Sequence, residues 1–404
     1  VNPAADAPPA RKTPAPPPDA AAAPDLYAVE ALLTAEEQAR RDAVSRFVDA
    51  ECLPVIAEHF DRGSFPMHLI ARLAELGLFR LHVDGEGAPG ASETVYGLVC
   101  RELGRCDAGL RAMVSVQNSL VMLPIARFGT EAQRRRYLPA MARGEVIGCF
   151  ALSEPGFGSN PAGMETRARE AGGGFVLNGR KLWITNGPIA HIALVWAKLG
   201  EEIRGFLVPA DSPGYRPTPI RRKFAYRTSP TAAIALDDCR VPAEALLPGA
   251  RGLKSVFQCL NPARYGVACG ALGAAIACYR AAREFAGGRR VFGRPLGATQ
   301  LAQEKLARML VDITRTQLVI HRLGRLMDAG QATPAQISLA KLSAVDAAMA
   351  TARLARDLLG ARGILADRHV IRHLLDLEAV STLEGTAAMH TLVLGQAATG
   401  MPAF

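Results

Sequence analysis

Gly172–Gly187 reads G-G-G-F-V-L-N-G-R-K-L-W-I-T-N-G, and it decides the fold because its period differs from that of the chain on either side. Apolar residues and turn signals follow one another at short, strand-like spacing, with Asn-Gly pairs at 178–179 and 186–187 marking hairpin turns. The pattern persists through I-A-L-V-W-A-K (192–198), I-R-G-F-L-V-P-A (203–210) and A-A-I-A-L-D-D-C-R-V-P (232–242). Residues 149–248 therefore predict a compact antiparallel β domain. Its first turn, S-E-P-G-F-G-S-N (153–160), places small residues where a backbone can approach a planar or phosphorylated ligand.

Outward from this centre the period becomes helical. Upstream, A-E-E-Q-A-R-R-D-A-V-S-R-F-V-D follows Thr34, a candidate N-cap, and H-L-I-A-R-L-A-E-L-G-L-F (68–79) repeats apolar residues at three and four. In D-A-G-L-R-A-M-V-S-V-Q-N-S-L-V-M (107–122), Arg111 and Ser115 share a face of an otherwise apolar helix. A guanidinium among apolar neighbours needs a partner: Asp107, one turn earlier, or a ligand anion. Downstream, helical segments at about 252–286, 298–329, 334–359 and 368–398 predict an up-and-down bundle. The second follows G-G-R-R-V-F-G-R-P-L (287–296), either a solvated basic turn or a pyrophosphate clamp with an aromatic partner. The expected division is a disordered Ala/Pro-rich tail (1–25), an N-terminal helical domain (26–148), the β domain (149–248) and a C-terminal helical bundle (249–404).

Composition bounds the function. The 404 residues are 49% hydrophobic, enough for several packed layers. No apolar run is long and uninterrupted enough to predict a membrane span. The net charge of +9 is spread among 38 acids, which suits an anionic ligand such as a CoA ester better than nucleic acid. The eight cysteines lack C-x-x-C spacing and sit in apolar contexts, so they read as reduced core thiols of a cytoplasmic protein, and no metal site is expected. The tail resembles neither a signal nor a transit peptide.

One carboxylate stands out. Glu384, between Leu383 and Gly385, interrupts two apolar helical runs in S-T-L-E-G-T-A-A-M-H-T-L-V-L-G (381–395). It is either a solvated charge at a helix end or a poorly solvated base with an elevated pKa.

From about Asp25 to Phe404 the chain resembles the acyl-CoA dehydrogenase family, most of all its glutaryl-CoA dehydrogenase branch. The matching stretches are R-A-M-V-S-V-Q-N-S-L-V-M-L-P-I (111–125), C-F-A-L-S-E-P-G-F-G-S (149–159), M-E-T-R-A (164–168), N-G-R-K-L-W-I-T-N (178–186), C-L-N-P-A-R-Y-G (259–266), V-F-G-R-P-L (291–296), A-R-D-L-L-G (355–360), H-V-I-R-H (369–373) and E-G-T (384–386). The resemblance implies a mainly α fold with a central β domain, FAD as cofactor, an acyl-CoA substrate, electron-transfer flavoprotein as acceptor and a homotetramer. It makes Glu384 the base that removes the α-proton while hydride leaves the β-carbon for FAD. It assigns Ser153, Ser159, Trp183, Thr185, Thr386 and Phe404 to the flavin, and Arg289, Phe292, Gln300, Asp357 and Gly360 to its ADP side, completed across a subunit interface. Phe257, Asn261 and Arg264 resemble the CoA-binding helix, Gly385 adjoins the substrate, and Arg111 and Ser115 match the pair that holds a distal carboxylate. The chain departs from the branch at Leu383 (usually Tyr), at Gly104 (usually an acid) and at G-A-R-G 360–363 (usually G-G-N-G). These departures leave open a dehydrogenase or oxidase of another acyl-CoA or acyl-carrier-protein thioester.

Overall fold

The computed structural model describes residues 24–83 and 90–402. Most of the expected tail, and Phe404, lie outside the described residues. Seven helices come first: α1 (Ala35–Phe47), α2 (Leu53–Arg62), α3 (Leu69–Glu75), α4 (Glu93–Cys106), α5 (Ala108–Ser115), α6 (Leu123–Phe128) and α7 (Glu131–Ala142). Thr34 does cap α1: its hydroxyl accepts from the Glu37 N–H at 3.2 Å while Glu37 accepts from the Thr34 N–H at 2.8 Å. Between α5 and α6 the helix widens into a π turn, Val116–Met122, a distortion common beside functional sites.

Eight strands follow: β1 (Gly148–Ala151), β2 (Arg167–Ala171), β3 (Gly174–Thr185), β4 (Ile192–Leu199), β5 (Glu202–Pro209), β6 (Tyr215–Pro219), β7 (Thr231–Pro242) and β8 (Leu246–Arg251). They form one sheet in the order β6-β7-β3-β2-β4-β5-β8, with β1 against β4. The sheet is mixed rather than purely antiparallel, since β1 and β2 each run parallel to β4. Those crossovers pass through connections too long to read as hairpins from the sequence.

The chain then returns to helices: α8 (Gly252–Gly288), a two-strand turn β9 (Arg290–Val291) and β10 (Arg294–Pro295), α9 (Gln300–Asp328), α10 (Pro334–Leu358), α11 (Val370–Val380) and α12 (Ala387–Thr399). The expected fourth bundle helix is therefore two helices. Glu384 (φ 54°) and Gly385 (φ 104°) adopt left-handed backbone that no helix continues through, and Thr386 caps the restart by accepting from the Met389 N–H at 3.1 Å. Helix α8 is long and apolar enough to cross a membrane, yet 83% of its most apolar window is buried inside the protein. All eight cysteines are buried and free.

Helices α4 and α8 cross on small residues. A Cβ at Gly104 would stand 2.5 Å from both the Cα and the carbonyl oxygen of Gly270, and one at Gly270 would stand 2.8 Å from Cδ of Arg111. An acid at 104 has no room here, which explains that departure as packing. Gly104→Ala tests the seam: helix propensity alone would favour Ala by about 1 kcal/mol. The opposing backbone cannot swing aside, so a net loss of about 1–3 kcal/mol is expected in denaturant melts; unchanged or raised stability would show that the helices can separate freely.

Candidate active site

The break between α11 and α12 is held by two cations from neighbouring helices. Arg264 of α8 donates from Nε to the Glu384 carbonyl at 2.9 Å. Lys341 of α10 donates to the carbonyls of Val380 at 2.9 Å and Gly385 at 2.7 Å. Gly385 is obligatory, because a Cβ would fall 2.7 Å from the His390 imidazole and its φ is strongly positive. With the backbone fixed, the Glu384 side chain is left uncommitted: Oε2 is shielded from solvent and has no hydrogen-bond partner. Burial pushes its pKa up, and the opposing pull of Arg111, Lys341 and Arg264 reduces the rise without cancelling it. Burial likewise brings the Lys341 ammonium down to about 8. The solvated reading of Glu384 is thus excluded for its inner carboxylate oxygen.

Arg111, buried to 2% exposure on α5, does not pair with Asp107. That carboxylate caps α5, accepting from the N–H groups of Gly109 at 2.8 Å and Leu110 at 3.1 Å, and faces Arg372 at 3.8 Å and Thr228. Arg111 instead donates from Nη2 to the Tyr226 hydroxyl at 2.7 Å, and its Nη1 is buried with no partner. Both Arg111 and Tyr226 feel the field of Glu384, so carboxylate, guanidinium and phenol are near neighbours. Ser115 ends a buried chain of hydroxyls. Ser119 donates to Tyr96 at 3.1 Å, Tyr96 lies 2.9 Å from Ser115, and His82 and Glu93 extend the chain outward at 3.3 and 3.2 Å. With Ser119 donating to Tyr96 and Tyr96 to Ser115, the Ser115 proton remains available.

Four of the flavin candidates, Ser153, Ser159, Trp183 and Thr185, lie on the β domain, and Thr386 lies at the start of α12. The register of β3 against β7 slips between Lys181 and Ile184; the resulting bulge holds Trp183 at φ 63°, 61% exposed. The turn after β1 is fastened to this bulge by the Leu182 N–H, which donates to the Ser153 carbonyl at 2.9 Å. Beneath it, buried Lys181 pairs with Glu154 at 2.8 Å, and Glu154 accepts from the N–H groups of Glu165 and Thr166 at 2.6 and 3.0 Å. Ser159 is exposed, Thr185 half-buried, and Gly156 and Gly158 face open space.

The ADP-side candidates form a separate, exposed set. Phe292 projects fully from the β9–β10 turn at φ 47°, and Arg289 and Gln300 flank it on the surface. Asp357 is held by Lys305 and, at 3.5 Å, by Arg356, next to Gly360 at φ 57°. On α8, Arg264 stacks over Phe257 at 5.8 Å, with Asn261 half-buried between them.

Three residues of the site were missed in the sequence. Lys341 lies on a helix that reads as plain bundle core, and nothing local announces that its ammonium caps a distant break. Tyr96 and Tyr226 read as core aromatics; only the residues they meet across 19 and 115 positions reveal them. Among the described residues there is no group of three or more potential metal ligands.

A carboxylate with one oxygen shielded from solvent, a buried guanidinium within its field, and an open turn beside a strained, exposed tryptophan suit an oxidoreductase of the acyl-thioester dehydrogenating type. The acyl-CoA dehydrogenase N-terminal, middle and C-terminal domain models match residues 34–145, 149–239 and 250–399, and the chain belongs to this family. Glutaryl-CoA dehydrogenase from Mycobacterium smegmatis is 47% identical, with a TM-score of 0.91 over 93% of this chain and 97% of that one. A second structure from that organism, in complex with FADH2, is 45% identical, with a TM-score of 0.92 over 94% and 98%. The rat mitochondrial short-chain specific acyl-CoA dehydrogenase is 35% identical over 88% of each chain.

The buried carboxylate gives a pH signature. A folded-state pKa above the unfolded value makes a stabilising contribution present at low pH and lost as pH rises through the folded value. Glu384→Gln, which cannot ionise, should therefore melt no lower than the parent at pH 8, and the gap should close as pH falls towards 4.5, the ordinary value. A variant destabilised at pH 8 would show that the carboxylate is held by partners rather than poised as a base.

Proposed function

We propose that this chain is an FAD-dependent dehydrogenase of an acyl-CoA whose far end carries a carboxylate, with glutaryl-CoA the foremost candidate. One observation carries the substrate assignment: in the pocket of Glu384 stands a buried guanidinium with no acidic partner and one nitrogen without any. An unpaired buried charge is costly, and a substrate carboxylate would relieve that cost. The likeness to two glutaryl-CoA dehydrogenase structures supports the same reading.

The residues present fit FAD. Trp183 and the Ser153–Ser159 turn, with Thr185 and Thr386, would hold the ring system; Arg289, Phe292, Gln300, Asp357 and Gly360 would serve the ADP half. The bound flavin would accept hydride from the substrate β-carbon. Glu384 takes the α-proton; its raised pKa makes it a stronger base than an exposed carboxylate, and Arg264 and Lys341 hold the backbone that aims it. Phe257, Asn261 and Arg264 would receive the CoA, and Ser115 and Arg111 the distal carboxylate. We further propose a homotetramer and electron-transfer flavoprotein as acceptor. Support for assembly comes from α12, an apolar helix of which His390 is the only buried residue, and from exposed Phe292, Leu301 and Ile364.

The purified protein is expected to be yellow and to bleach anaerobically with glutaryl-CoA. Glu384→Gln should keep the flavin and lose nearly all bleaching. Arg111→Ala should lose about 2–5 kcal/mol of discrimination against butyryl-CoA. Equal bleaching by butyryl-CoA, with no change in Arg111→Ala, would overturn the carboxylate assignment. Crotonyl-CoA and CO2 as products would establish decarboxylation. Leu383, in place of the branch's tyrosine, favours testing a second outcome: a product retaining its carboxylate, or peroxide formation, would mark a different dehydrogenase or an oxidase.

A further inference from the structure

The geometry points to Tyr226 as a specificity-determining residue of the acyl pocket, one that fixes Arg111 through a hydroxyl lone pair and offers its own O–H to the distal carboxylate of the substrate. The inference rests on the ω-carboxylated substrate proposed above and extends it to a residue outside the motifs that carry the family resemblance.

Four observations support it. Tyr226 is 6% exposed and its hydroxyl accepts from Arg111 Nη2 at 2.7 Å. A phenol that accepts still has a proton to donate, and among the described residues Arg111 is the only hydrogen-bond partner of that oxygen. The unspent donors here are thus Arg111 Nη1 and Tyr226 O–H, buried next to each other, and a carboxylate accepts two such bonds at once. Second, the phenol remains a neutral donor: burial raises its pKa to about 12 despite the nearby Arg111. A neutral partner leaves the guanidinium charge uncancelled, where an acid would have neutralised it.

Third, the loop carrying Tyr226 is built for position. The tyrosine sits at φ 54°, strained for a bulky side chain. Its N–H donates to Asp376 at 2.6 Å and its carbonyl accepts from Lys223 at 2.8 Å. Two residues on, Thr228 bonds Asp107, the cap of the helix that bears Arg111. Phenol and guanidinium are thereby referenced to the same helix terminus. Fourth, the small space that Arg111 lines together with Gly104, Gly270, His373 and Asp376 is only about 10 Å³, room for about one water. A substrate carboxylate does not fit in that space, whereas the tyrosine hydroxyl already lies at the guanidinium's Nη2.

The test compares the holoenzyme with Tyr226→Phe, Arg111→Ala and the double variant on glutaryl-CoA and butyryl-CoA. Tyr226→Phe should lower kcat/KM for glutaryl-CoA about ten- to a hundredfold, as expected for one bond to a charged group. The loss should fall mainly in KM, with butyryl-CoA changed less than about twofold and the loss largely absent in the Arg111→Ala background. Calorimetric titration of glutaryl-CoA into Glu384→Gln with and without Tyr226→Phe reads the same weakening without turnover. Equal losses on both substrates would reduce Tyr226 to a structural role, and no loss on glutaryl-CoA would make it a bystander; either overturns the inference. If Arg111→Ala abolishes the preference while Tyr226→Phe preserves it, only the role of Tyr226 falls. If Arg111→Ala leaves the preference intact, the carboxylated-substrate reading falls, and this inference with it.

Discussion

Two opposite charges, Glu384 and Arg111, lie within each other's field without forming an ion pair, and the surrounding structure engages each of them elsewhere. Direct contact would be favourable for the two groups alone, because it would offset part of the desolvation that each suffers. It would also hold the carboxylate in its ionised, weakly basic form. Each partner is diverted instead: Arg111 to the neutral Tyr226 hydroxyl, and the chain around Glu384 to Arg264 and Lys341, which bond its carbonyls and leave the carboxylate alone. The site consequently retains two unsatisfied groups, Arg111 Nη1 and Glu384 Oε2. Buried unsatisfied polar atoms call for an explanation, and for these two the proposed substrate is the one we offer.

Behind the pocket a second buried set carries the mechanical load. Asp107 and Asp376 are both pushed up in pKa by burial, and the nearby Asp107 raises Asp376 further. The guanidinium of Arg372 lies 3.8 Å from Asp107, and His373 is driven towards its neutral form by burial. Asp376 fixes the Tyr226 N–H, Asp107 fixes the start of α5, and α11 supplies Asp376, Arg372 and His373. Helix α11 also leads directly into the Glu384 break. One helix therefore positions both the Glu384 break and the loop of Tyr226, so a displacement of α11 would move the proposed base and the proposed carboxylate site together.

Local signals made the helix, sheet, helix order legible, because hydrophobic period and Asn-Gly turns depend only on nearby residues. The Thr34 cap and the break at Glu384-Gly385 were visible for the same reason. What the sequence hid depended on long-range geometry. The parallel pairings of β1 and β2 with β4 require knowing how crossovers close. The bulge that exposes Trp183 reflects a mismatch with β7, not a property of β3. Arg111 was legible as a charge in need of a partner, but Asp107 looked equally suitable at one turn's distance until its Oδ1 proved to be committed to the cap of α5 and to Thr228, and its Oδ2 to face Arg372. Tyr226 lies in K-F-A-Y-R-T-S-P, a loop with no pattern of its own, and its role comes from contacts with α5 and α11.

The three departures from the branch pattern do not carry equal weight. Gly104 follows from close packing: α8 passes where an acid's Cβ would stand, so the polarity expected from position 104 must come from another element. The Tyr226 phenol meets the same guanidinium from the β domain, but with a neutral group, which leaves a more positive pocket than an acid would. At 360–363, Gly360 keeps the left-handed backbone and a Cβ at Gly363 would collide with the Arg356 carbonyl. The two glycines that the turn requires are therefore retained, and Ala361 and Arg362 occupy exposed positions between them. Leu383 differs from both. It packs against the apolar core beside the base, brings no hydroxyl, and has no steric explanation of the kind found at Gly104. A hydroxyl is thus absent at Leu383, beside Glu384, and one is present at Tyr226, where it bonds Arg111.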